Sequence, residues 1–175
     1  MQIFTVRSAY TVAREELEKE KMRIEFRPLI WKIVWAAKIM PKVNFFFMEI
    51  NMGILPTLDN LLMRMLQVEG TCHVCAEQNE MIFHIMFECI FSRTVWMGCC
   101  PCVMEVTQDL TTEGLVLKRL FIKAVLVKKV KTRCTTLWLL WHNRNNVVHD
   151  KCWGNHNGII RKVNEIPECR NQETL

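Results

Sequence analysis

Hydrophobic positions recur at helical intervals along much of the chain. Residues 5–26, "TVRSAYTVAREELEKEKMRIEF", are rich in good helix formers, and the charged "EELEKEK" stretch reads as a solvated surface. Pro28 marks a boundary, and "LIWKIVWAAKI" then predicts a short helix that Pro41 stops. Trp31 and Trp35 are four residues apart and share a face, which predicts core packing. "KVNFFFMEINMG" is dense in aromatics and closed by Gly53. It predicts a buried helix, although the phenylalanines alone would also permit a strand.

"LPTLDNLLMRMLQVEG" follows, with Thr57 placed to cap a helix and Pro56 just outside it. Leu58, Leu61, Leu62 and Met65 recur at helical spacing, and Gly70 ends the run. After Cys89, "IFSRTVWMG" predicts a short helix carrying Phe91, Val95 and Trp96. "CCPCVMEVTQD" reads as a loop. Residues 113–149 have few breakers after Gly114 and read as mostly helical, with one face on the core and a basic face opposite. Residues 150–175, with two glycines, a proline and many polar residues, read as a loosely held tail. The pattern predicts a mainly α fold.

At 175 residues, half of them hydrophobic, with six tryptophans and nine phenylalanines, the chain can build a packed core. Nine cysteines is an odd number and their spacing is not that of a disulfide framework. With an opening "MQIFTVRSAY" too polar for a signal peptide, the expectation is an intracellular, reducing location, nuclear or cytoplasmic and not secreted. No run of 18 apolar residues predicts a membrane span. The net charge of +5 is unevenly spread. Residues 71–112 hold one basic and five acidic side chains, whereas residues 113–133 hold seven basic and one acidic. Phosphate contacts are therefore expected at Lys118, Arg119, Lys123, Lys128, Lys129, Lys131 and Arg133. The competing reading of that run is a solvated helix face.

Candidate chemistry is concentrated in "CHVCAEQNEMIFHIMFEC", residues 72–89. Cys72, Cys75, His84 and Cys89 provide three thiols and an imidazole, the ligand set of a closed structural zinc site. On an ideal helix His84 and Cys89 would point about 140° apart, so the chain must turn or fray between them. Three thiolates around Zn2+ leave a site of net charge near −1, which places any nucleic-acid contact elsewhere. A redox pair at Cys72 and Cys75, or ordinary cysteines without a metal, are the alternatives; "MLQVEGT" before Cys72 lacks the βαβ context of a redox motif. Cys99, Cys100 and Cys102 lack an obvious histidine or distant cysteine pair to complete a second cluster.

Hydrolytic and phosphoryl-transfer motifs are missing from the sequence: there is no GxxxxGK[ST], GxSxG or HExxH. Asp59, Asp109 and Asp150 stand in unrelated settings, and no paired motif presents the glutamates as two-metal chemistry requires. A thiol site from Cys134, His142 and His149 is a weaker reading than packing and surface histidines. The expectation is no enzyme activity and no small-molecule substrate.

Several blocks in order carry a resemblance. "FTVRSAY" (4–10), "WKIVWAAKIMPKVNFFFMEINMGILPTLDNLLMR" (31–64), "CHVCAEQNEMIFHIMFECIFSRTVW" (72–96) and "LWLLWHNRNNVVH" (137–149) together resemble the zinc-binding domain of plant non-LTR (LINE-type) retrotransposon reverse transcriptases. The resemblance places Cys72, Cys75, His84 and Cys89 on the family's ligand positions. It divides the chain into a zinc-binding domain at 1–112, a basic, tryptophan-containing helical extension at 113–149 and the tail. It implies an accessory, non-catalytic domain that binds RNA or DNA for a reverse transcriptase. A captured domain serving as a protein-interaction adaptor is the alternative. The chain departs from the family at Met40, where proline is usual, and at Met48, where tryptophan is usual. Ala76 replaces a common glycine and Met81 a common threonine or serine.

Overall fold

Pro41 begins a helix instead of ending one. The computed structural model describes residues 32–107, 129–149 and 154–166. In it a helical turn over residues 32–36 gives way to a turn in which Lys38 takes the left-handed conformation (φ 48°). Helix α1, Pro41–Met52, then starts with proline in its first turn, where the missing N–H is no loss. It ends at Gly53 (φ 65°), whose N–H reaches the Glu49 and Ile50 carbonyls, a closure that favours glycine. Val43, Phe46, Phe47 and Ile50 face the core, as expected for a buried helix.

Helix α2, Leu58–Met63, follows. Thr57 precedes it but makes no capping bond; its hydroxyl turns to the Asp59 carboxylate. The cap comes from far away, because the Leu58 N–H donates to Glu80 Oε1 at 3.1 Å. A π-helical turn, His84–Glu88, leads into α3, Ile90–Cys99, and α4, Cys102–Thr107. Helix α5, Val130–Val148, and helix α6, His156–Asn164, complete the described elements. Among the described residues there is no strand, only an isolated antiparallel bridge between Thr71 and Asn79. The fold is mainly helical, as the periodicity predicts.

Among the described residues, one large hydrophobic core joins α1, the π-helical turn, α3, α4, α5 and α6, beside a small cluster of Cys72, Val74 and Cys89. Phe46 stacks on Trp141 at 6.3 Å, tying α1 to α5, and Phe87 stacks on Trp96 at 6.1 Å, tying the π-helical turn to α3. Full burial of side chains of this size contributes roughly 1.5–3 kcal/mol each. Cys134, Leu137, Leu140 and Trp141 of α5 belong to the same core as Val43 and Ile85. Residues 130–148 therefore pack into the same core as α1 and the π-helical turn.

Three expectations are corrected here. Residues 156–164 form a helix and not a loose tail, because Ile159 and Val163 are buried against the core. Its docking on α3 is close: a Cβ on Gly98 would sit 2.4 Å from Ile160 Cδ1. Residues 102–107 are helical where a loop was expected; Val103 on this turn is fully buried and Pro101 stands just before it. Trp35 is 59% exposed, so it is no core residue. The helix expected at 5–26, Trp31, residues 113–128 and the ends of the tail lie outside the described residues.

Candidate metal centre

The ligand block folds as two halves that face each other. Cys72 and Cys75 come from a tight turn in which the Ala76 N–H bonds the Cys72 carbonyl at 2.8 Å. The turn is held at its base by Cys72 N–H to the Gln78 carbonyl and Glu80 N–H to the Gly70 carbonyl, both 2.8 Å. Ala76 has φ 57°, the left-handed conformation that a glycine adopts freely and an alanine resists.

His84 and Cys89 come from the π-helical turn, which resolves the angular problem posed by their spacing. The Cys89 N–H bonds the His84 carbonyl at 2.8 Å, closing a five-residue step. A wider turn brings residues five apart back toward one side, where an α-helix would separate them. Cys89 then leaves the helical conformation (φ −51°, ψ 133°) and becomes the residue before α3. The rearranged carbonyls are not left bare. Ile85 O accepts from the Ser92 hydroxyl, and Met86 O accepts from Trp96 Nε1 at 2.7 Å. Two α3 side chains thus complete the π-helical turn.

The four donor atoms lie within 4.8 Å of one another. Cys75 Sγ is 3.3 Å from His84 Nε2, so Nε2 is the nitrogen turned to the sulfurs. Tetrahedral bonds of metal–sulfur and metal–nitrogen length give edges of about 3.3–3.8 Å, which this group can meet with small adjustments. Cys72, His84 and Cys89 are buried and Cys75 is partly so. His84 Nδ1 is buried without a hydrogen-bond partner, with the Glu88 carboxylate 4.0 Å away. A carboxylate at that position holds a ligating ring in the correct tautomer when it closes on the second nitrogen. The donor set and the geometry fit a metal ion, and among the described residues no other such group of three or more donors occurs.

The protons are spread unevenly over the donor groups. A hydrogen bond between the Cys72 and Cys89 thiols holds Cys89 below its ordinary range and, with burial, pushes Cys72 up to about 12. The backbone N–H groups of Phe91 and Ser92, at the start of α3, also favour the Cys89 thiolate. Those of Val74 and Cys75 act likewise on Cys72. His84 is raised to about 9, chiefly by its hydrogen bond with Cys72. These shifts describe proton sharing among Cys72, His84 and Cys89, and a doubly charged ion bound there would replace those protons.

Beside the centre stands a buried ion pair that no reading of the sequence singled out. Glu80 is fully buried, and Arg144 donates to it through Nε (3.1 Å to Oε2) and Nη2 (to Oε1). Arg144 also lies over the Trp141 ring, 5.0 Å from its centroid. Glu80 thus joins the metal turn, the start of α2 and α5. Both residues sit in the resembling blocks, but nothing in a single sequence pairs positions 64 apart.

The basic run is only partly described. Lys118, Arg119, Lys123 and Lys128 lie outside the described residues. Lys129 is exposed and Lys131 half-buried. Arg133 is corrected: it is 1% exposed, with Nη2 3.5 Å from Cys102 Sγ, so it cannot present its charge to a phosphate chain. Cys100 Sγ lies 3.5 Å from Cys102 Sγ, but Cys99 turns away toward Thr136 Oγ1 at 4.0 Å. Cys134 is fully buried, and burial pushes its thiol up, as expected of a packing cysteine. Among the described residues no helix is long and apolar enough to cross a membrane.

The family profile described as zinc-binding in reverse transcriptase matches residues 4–96, which include all four ligand positions. No curated protein and no solved structure matches the chain.

Proposed function

The chain belongs to the family of zinc-binding domains in reverse transcriptases, and from that premise we propose that it is a non-catalytic module whose single zinc ion holds a nucleic-acid-binding body together. The retroelement concerned is of the plant LINE type, either as a working accessory domain or as a fragment descended from one. The observation that carries the reading is the closed donor set of Cys72, Cys75, His84 and Cys89 within 4.8 Å. Four protein ligands fill a tetrahedral zinc shell, leaving no position for water or substrate. The ion then supplies folding energy, joining the Cys72–Cys75 turn to the π-helical turn. Its thiolate ligands suit a reducing, intracellular compartment.

Nucleic acid as the partner is supported by the net charge of +5 and by the family's association with reverse transcriptases. The test is a titration of zinc-loaded protein with RNA and DNA at increasing salt, beside polymerase and nuclease assays with magnesium or manganese. Binding that weakens steeply with salt, with background turnover, supports the proposal. Salt-independent binding, or turnover lost on changing one of this chain's carboxylates, refutes it.

A specific observation favours the adaptor as second reading. Leu62, Met63, Met65 and Leu66 are exposed, Met63 at 86% and Met65 at 93%, and methionine-rich surfaces adapt well to protein partners. The "NFFFM" and "LWLLW" stretches do not add to it as a block, since Phe46, Phe47, Leu137, Leu140 and Trp141 are buried.

A further inference from the structure

Where α1 and α5 pack together, they leave aromatic rings and lysines on the outside. Trp138 and His142 of α5 stack face to face, with centroids 5.3 Å apart and planes 10° from parallel. Lys42 of α1 holds its ammonium 4.4 Å from the Trp138 ring centroid. One turn further along α1, Phe45 is 62% exposed, and it shares a shallow apolar depression with Trp35, which is 59% exposed. Lys42 and His142 thus flank the half-buried Trp138, and the Phe45–Trp35 pair lies one turn of α1 further on. None of these side chains serves the metal centre.

We propose that this face is a stacking platform for single-stranded nucleic acid, a proposal that rests on the nucleic-acid reading above and names its surface and its strand form. Exposing two large rings is unfavourable unless something covers them, and a nucleobase is a flat partner that any of these rings accepts. The parallel Trp138–His142 stack already has the geometry that a base would continue. The surrounding charge suits a phosphate chain better than a protein. Lys32, Lys38 and Lys42 are exposed, and Lys131 lies two turns before Trp138 on α5. Protein interfaces are depleted in lysine, whereas single-strand grooves combine it with aromatic rings. Glu49, half-buried one turn beyond Phe45, is the acidic residue of α1. In a duplex the bases are already stacked on one another and offer no free faces, so the single strand is preferred.

The experiment uses the full zinc-loaded chain and a fluorescently labelled 15-nucleotide oligothymidylate or oligouridylate, against a duplex of equal length. Anisotropy should show tighter binding of the single strand. Phe45→Ser and His142→Ala change exposed side chains, and each should weaken that binding about tenfold with the salt slope unchanged, because stacking carries no counterion release. Lys42→Gln should instead lower the salt slope by about one. Zinc content and helicity should match the parent. Parent-like affinity in all three variants would overturn the platform while leaving the nucleic-acid reading standing. A duplex preference would also overturn it. Failure of the parent chain to bind any oligonucleotide at low salt would overturn both. So would a nuclease-resistant protein partner that needs Phe45 in place of the oligonucleotide.

Discussion

Ala76→Gly should stabilise this protein. Ala76 is exposed and holds φ 57° at the close of the Cys72–Cys75 turn, so its methyl group packs on nothing of value and opposes the backbone conformation. The left-handed conformation costs a non-glycine residue roughly 1–2 kcal/mol. Glycine removes that cost but loosens the unfolded chain, which takes back roughly 0.4–1 kcal/mol. The net gain is about 0.5–1 kcal/mol. Because the Ala76 N–H closes the turn on the Cys72 carbonyl, the gain should be shared with metal binding as about a two- to fivefold tighter site. Urea unfolding at fixed free zinc measures the first quantity, since bound metal shifts apparent stability by mass action. Competition with a chromophoric chelator measures the second. Ala76→Val is the control and should be worse than the parent, because a β-branched residue resists this conformation most. Stability in the order valine, alanine, glycine, with valine best, would refute the reasoning.

Arg144→Met should destabilise by about 3–5 kcal/mol, because it strands the Glu80 charge in a dry setting. Changing Glu80 to methionine as well should recover much of that loss, which urea midpoints of the single and double variants would show. Ser92→Ala should cost about 1–3 kcal/mol by leaving the buried Ile85 carbonyl without its donor, and the metal should dissociate faster from this variant. Gly154→Ala should loosen the approach to α6, since its Cβ would fall 1.8 Å from Asn143 Oδ1; increased amide exchange over His156–Asn164 is the readout. Cys75→Ser should lower zinc affinity and unfold the turn around it without altering any turnover, as read by calorimetry and nuclear magnetic resonance.

The sequence made the four-residue donor cluster and the helical character legible, because both are local. Thiols and an imidazole at these intervals have few other uses, and the 3.6-residue period shows in Val43, Phe46, Phe47 and Ile50. It did not show the π-helical turn, whose stability depends on Ser92 and Trp96 of the next helix donating to its shifted carbonyls. It did not show the Glu80–Arg144 pair, because an acidic residue in a loop and a basic one in a distant helix look solvated until the fold joins them. Arg133 misled for the same reason: charge in a basic run reads as surface, yet its position on α5 turns it inward beside Cys102. Trp35 misled in the opposite sense, as bulk reads as core. The amphipathic signal of α6 was hidden among glycine, asparagine and histidine, although Ile159 and Val163 at a four-residue spacing mark its buried face.

X-ray absorption at the zinc edge of the purified, undenatured chain is the most direct test of the central claim. It should find one zinc per chain, bonded to three sulfurs at about 2.3 Å and one nitrogen at about 2.0–2.1 Å, with no oxygen in the shell. A chain that folds identically without metal, or a shell that includes water or fewer than three sulfurs, would contradict it.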